Sequence, residues 1–183
     1  MKRLKFRSIT LLVLCSCFSL SSNANLSSED IKSANKAAEI MIPSISEFLG
    51  KPVKLTGILL ADSLPENKID IPNAVCNDYL LVANYMELYR TSFSLNFGSE
   101  SYKDFKNPVA NAIKTLDLGV SSQHSECLMK EKGWSDEMKV LDYMMENAGD
   151  IMAGDKRFNK LNDFDVAFGV EETVQKMVEA TNK

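Results

Sequence analysis

From residue 28 onward, apolar positions recur at spacings of three and four, the period of amphipathic helices. Ile31, Ala34, Ala38, Met41, Ile45 and Phe48 form the first stripe and predict a helix over 28–49. Ser27 can cap it, Asp30 sits where a capping box needs an acid, and Leu26 with Ile31 can form a hydrophobic staple. Pro43 lies inside, where proline kinks or breaks a helix. Gly50 and Pro52 end it. A second stripe, Val75, Tyr79, Val82, Met86, Tyr89 and Phe93, predicts a helix over 73–97. Leu80, Leu81 and Ala83 widen that stripe enough to make this the central helix.

Asn107-Pro108 opens a third helix as cap and first helical residue. Val109, Ala112, Ile113 and Leu116 are its buried side, and Gly119 is expected to end it. A short fourth helix over 122–132 carries Cys127 and closes at Gly133. Ser135 caps a fifth, with Asp136 and Glu137 in the first turn, where negative charge suits the helix dipole. Its stripe is Met138, Leu141, Met145, Ala148 and Met152, and Gly154 ends it; Met144 stands beside the stripe and is expected to be exposed. Val170, Val174, Met177 and Val178 predict a last helix over 170–181. Residues 51–73 lack a clear period. Val53-Lys54-Leu55 reads as a brief strand, Leu55 to Leu64 equally as a short helix, and Pro65, Asn67 and Pro72 as loop. These elements make an all-α, single-domain bundle of about five or six helices, with one short strand or irregular segment near 51–72.

The segment before the first stripe is of a different kind. Lys2, Arg3, Lys5 and Arg7 precede the apolar run Ser8–Leu20, and Ser22 and Ala24 stand at the −3 and −1 places of a cleavage site. This is the pattern of a secretory signal peptide. It predicts that residues 1–24 are removed and that 25–183 form an exported domain, periplasmic or secreted. The apolar run is shorter than the ~20 residues that cross a bilayer, and no later stretch is apolar enough to do so. Leu14-Cys15-Ser16-Cys17 resembles a lipobox and offers a competing fate, a lipoprotein anchored through Cys17, although Cys15 fits that motif poorly.

Cleavage changes the charge. Taking the leader's four basic residues from the 21 in the chain leaves 17 against 25 acidic residues, a net charge of −8. Such a chain does not seek nucleic acid through counterion release, nor an anionic membrane surface. The charge keeps an exported domain soluble and leaves a basic protein as a fitting partner. Cleavage also removes Cys15 and Cys17, so Cys76 and Cys127 remain as an even pair in an oxidising compartment. Neither lies in a C-x-x-C motif, and a structural disulfide closing a loop of about 50 residues is worth roughly 3–4 kcal/mol.

Catalytic chemistry has few footholds. His124 is the only histidine, so a nucleophilic triad or a His-based metal site would have to use it. Its polar neighbours Gln123 and Ser125 predict a surface position, and bonding Cys127 to Cys76 would remove the one nearby thiol. Asn162-Asp163-Phe164-Asp165 has the composition of a calcium loop, but Ala167 and Phe168 fall where ligand and glycine belong. Met129, Met138, Met144, Met145 and Met152 suggest soft-metal binding by type, but most lie on apolar stripes and read as core. No phosphate loop, nucleophile elbow or H-E-x-x-H motif is present, and no cofactor or metal is expected.

Two features suit partner binding. Asp142, Glu146 and Asp150 lie four apart, on one face of the fifth helix; they form either a solvated face or a contact for a basic protein. Ser94–Tyr102, with Phe97 and Tyr102, reads as an interhelical connection or a recognition loop. In layout the chain resembles small helical periplasmic immunity proteins that neutralise effectors of contact-dependent secretion systems. It shares with them the leader, one mature cysteine pair, an acidic helical domain and no active-site motif. The resemblance covers layout alone and carries over no residue. It implies a non-enzymatic envelope protein that binds a protein partner, most concretely a toxin-neutralising inhibitor. The alternative is a periplasmic carrier holding an apolar small molecule in a connected cavity of ~300 Å³ or more.

Overall fold

The structure, a computed structural model, describes residues 26–56 and 67–182. The leader with Cys17, and most of the Leu55–Leu64 stretch, lie outside the described residues. Helix α1 spans Ser28–Leu49. Its capping box is complete: Asp30 N–H donates to Ser27 Oγ at 3.1 Å, and Ser27 N–H donates to Asp30 Oδ2 at 2.9 Å. Gly50, at φ +70°, takes the left-handed turn that closes it. Pro43 does not break α1. Pro43 and Glu39, whose carbonyl loses its partner, are both on the exposed side, where water replaces the missing bond.

Strands β1 (Lys54–Leu55) and β2 (Ile69–Asp70) pair antiparallel, Lys54 with Asp70 and Leu55 with Ile69. Helix α2 (Cys76–Phe97) is central and buries Leu81, Val82, Met86, Tyr89 and Phe93. After α3 (Ser99–Lys103) come α4 (Pro108–Lys132), α5 (Glu137–Gly154), a 3-10 turn at Lys156–Asn162, and α6 (Phe164–Thr181). The most extensive packing is α2 on α4, then α1 on α6 and on α4. The all-α bundle expected from periodicity is therefore present, with one two-stranded ribbon among the described residues.

The third and fourth expected helices are one continuous helix. Gly119 does not end α4; it lies mid-helix, fully packed against the backbone of Asn67. Around it, backbone and side chains of α4 hydrogen-bond β2 and the stretch leading into it. Asn67 N–H donates to the Thr115 carbonyl at 3.0 Å, and Asn67 Nδ2 donates to Thr115 Oγ1 at 3.0 Å. One turn beyond Gly119, Gln123 accepts from Ile69 N–H at 2.9 Å and donates to the Ile69 carbonyl at 2.7 Å. A Cβ at 119 would lie 2.8 Å from the Asn67 carbonyl carbon and closer still to its oxygen. Gly119→Ala is thus expected to destabilise by about 1–3 kcal/mol through overpacking, against alanine's better helix propensity. Gly149→Ala, where open space surrounds the new methyl group, should stabilise by up to about 1 kcal/mol. Urea unfolding of the two variants tests this, and equal stabilities would refute the close approach.

Two other expectations change. Helix α6 begins at Phe164 rather than near residue 170, because its first turns carry exposed Phe164 and Phe168 and so give no inward stripe to read. On α5 the buried side is Val140 and Met144, flanked by half-buried Asn147, Ala148 and Ile151. Met144 is buried, while Met138 and Met145 are 59% and 65% exposed. The inward face is turned about a quarter of a revolution from the methionine stripe.

Candidate functional site

Cys76 is the first residue of α2 and Cys127 lies near the end of α4; they form a disulfide with Cα atoms 5.5 Å apart. That separation is within the range for bridges. The bond pins the last turns of α4 to the start of α2. Beside it lies a cavity of about 270 Å³, lined by Cys76 and Asn77 of α2, His124 and Glu131 of α4, and Tyr143 and Ile151 of α5.

His124 is buried, not a surface residue. Gln123 points to β2, whereas His124 shares the inward row Leu116, Val120, His124, Leu128, four apart along α4. Those neighbours at spacing four were the legible signal; the adjacent polar residues misled. Burial lowers the imidazole pKa to about 4, so the ring is neutral at pH 7. Since Cys127 is bonded to Cys76, it is not a free thiol for nucleophilic or metal chemistry with His124. Among the described residues, no group of three or more His, Cys, Asp or Glu is placed to hold a metal ion. No helix among them is long and apolar enough to cross a membrane.

Helix α5 forms the outer wall of this region. Asp142, Glu146 and Asp150 are all exposed, and Met138, Met145 and Gly149 share their outward side. At the rim, Lys132 Nζ stands 5.2 Å from the Tyr143 ring centroid and 3.2 Å from Glu131 Oε1. Hydrogen bonding to Glu131, with the field of Tyr143, raises the Lys132 pKa. Trp134 meets Tyr143 edge-on, with centroids 5.6 Å apart.

Phe97 and Tyr102 are not in an open loop. Phe97 is the last residue of α2 and stacks on Phe93 at 5.1 Å; Tyr102 lies in α3, with its ring 6.3 Å from Phe93. The Lys114 ammonium sits between Tyr102 and Phe105, 4.8 and 4.2 Å from their centroids. It has no hydrogen-bond partner among the described residues, and burial lowers its pKa to about 8. One turn along α4, burial and the nearby Glu87 raise Asp117 to about 6. Phe97 also lines a separate groove of about 390 Å³ with Phe168, Glu171, Glu172 and Glu179 of α6. The two candidate sets are thus not united: the α5 acids do not line that groove, and Phe97 and Tyr102 do not line the disulfide cavity.

No family model, curated protein or solved structure matches this chain.

Proposed function

We propose that this chain is an exported, non-enzymatic protein-binding domain of the bacterial envelope that docks a basic protein through the outer face of α5. Its most concrete form is a toxin-neutralising inhibitor of the immunity type. The observation that carries the reading is the exposure of Met138 and Met145, 59% and 65%, on the same side of α5 as Asp142 and Glu146. Exposed methionine is an adaptable apolar contact. Acids around it steer a basic partner and set the salt dependence of capture. The leader pattern of residues 1–24 and the Cys76–Cys127 disulfide support an oxidising, exported location. The carrier alternative draws less support, because both cavities are lined by charged as well as apolar groups.

The test begins with affinity capture from envelope extract by the wild-type protein and by Met138→Glu/Met145→Glu; the partner is the protein lost with the methionines. Asp142→Lys/Glu146→Lys/Asp150→Lys should then slow association with that protein by about tenfold or more at low ionic strength. Melting temperature should stay nearly unchanged, because all three acids are exposed. A folded triple variant with unaltered association kinetics would remove the α5 face from the proposal.

A further inference from the structure

We infer that the cavity beside the disulfide is a socket for one basic side chain, arginine or lysine, presented by the docking protein. This deepens the docking reading and rests on it.

Position is the first argument. Tyr143 and Ile151 line both the cavity and one flank of α5. Asp150 directly precedes Ile151, and Tyr143, Asn147 and Asp150 follow one another at helical spacing of four and three. A protein seated on the acidic side of α5 therefore has the socket at its edge.

Chemistry is the second. Glu131 supplies a carboxylate, Asn77 an amide carbonyl, and His124 an uncharged imidazole, one ring nitrogen of which is an acceptor. Leu128, Ile151 and the disulfide cover the apolar part of the lining, which suits the methylene stem of a long basic side chain. An apolar occupant would cover the imidazole and the Asn77 amide without hydrogen-bonding them, which is unfavourable.

The third argument is what the chain itself places at the rim. Lys132 stands over the Tyr143 ring and beside Glu131, the pairing of aromatic face and carboxylate that a guanidinium or ammonium seeks. This internal cation occupies part of the recognition surface, so an incoming one must displace it. Removing Lys132 should therefore improve binding, an effect that a purely structural role for Lys132 does not produce.

The probe is N-acetyl-arginine amide, with the neutral isostere N-acetyl-citrulline amide as control, titrated into the disulfide-bonded protein. Ring resonances of His124 and Tyr143 and the fluorescence of Trp134 report binding. The arginine probe should give saturable shifts and the citrulline probe none. Lys132→Ala should tighten arginine binding about threefold, the scale of one exposed cation–π contact. Glu131→Gln should weaken it about tenfold through loss of a charge-assisted hydrogen bond. Equal responses to the two probes, no saturable shift, or unchanged affinity in Lys132→Ala would overturn the socket. The docking reading has its own readout: if arginine fails to bind while the α5 reversal still slows the protein partner, only the socket is lost. If arginine binds while the reversal changes nothing, the α5 docking face is lost and the cation site stands.

Discussion

Asp78→Asn is expected to cost about 3–5 kcal/mol of folding stability, the scale for removing one partner of a buried ion pair. The Asp78 side chain is inaccessible to solvent, yet it accepts hydrogen bonds from Lys51 at 2.6 Å, Arg157 at 2.7 Å and the Val75 N–H at 2.9 Å. Those contacts join the turn after α1, the first turn of α2 and the 3-10 turn before α6. Asparagine keeps the shape but leaves two cations facing a neutral amide. Arg157 retains Asp155 at 2.7 Å, whereas Lys51 has no second carboxylate among the described residues. Asp155→Asn should cost less, since Arg157 would still hold Asp78.

The same site predicts a pH dependence. Burial alone would raise the Asp78 pKa, but bonds from Lys51, the Val75 N–H and Arg157 outweigh it and hold the carboxyl below its ordinary value. The unfolded chain then takes up the proton first as pH falls below about 4, so the stabilisation is full above that range and lost as pH falls through the folded-state value. Urea unfolding at pH 7 and near pH 3 measures both effects: the gap between wild type and Asp78→Asn should narrow at the lower pH. A cost below about 1 kcal/mol at pH 7 would show that the cluster is not the clamp described.

Cys76→Ser/Cys127→Ser should lower stability by about 3–4 kcal/mol, because the bridge removes closure entropy from a loop whose ends are 51 residues apart. The consequence should be uneven. Helix α5 packs chiefly on α4 and the 3-10 turn and fully buries only Val140 and Met144 of its own residues. Loosening the end of α4 should therefore expose residues 137–154 to protease before the α1–α2–α6 packing opens. Limited proteolysis with mass spectrometry, beside urea unfolding, reads both effects. Matching midpoints for the bridged and serine forms, or first cuts within α1 or α2, would contradict this account.

Elements whose boundaries rest on local chemistry were legible in the chain. Ser27, Asp30 and Gly50 bound α1 as expected, because capping and the left-handed turn involve residues three or four apart. Asn107-Pro108 likewise starts α4, and Gly133 closes it. The Cys76–Cys127 pairing followed from there being two cysteines after the leader pattern. The acidic row on α5 was placed on the outside by period alone.

What tertiary structure decided turns on partners distant in sequence. Gly119 reads as a helix end until Asn67, 52 positions earlier, is laid across it; the missing Cβ then makes room for a backbone rather than for a turn. Asp78 reads as an ordinary first-turn acid until Lys51 and Arg157 close on it from opposite directions in the chain. On α5 the spacing pointed to Met138, Leu141, Met145, Ala148 and Met152 as the inward stripe and to Met144 as exposed; in the fold the face carrying Val140 and Met144 meets α4, so Met144 is buried and Met145 exposed. His124 is intermediate: the row Leu116, Val120, His124, Leu128 already pointed it inward, and α5 with the start of α2 supplies the walls around it. Periodicity and capping act within a few residues and are written into the sequence directly. Burial, ion pairing and close backbone approach depend on which surfaces meet, and that is set only when the whole chain minimises its exposed apolar area at once.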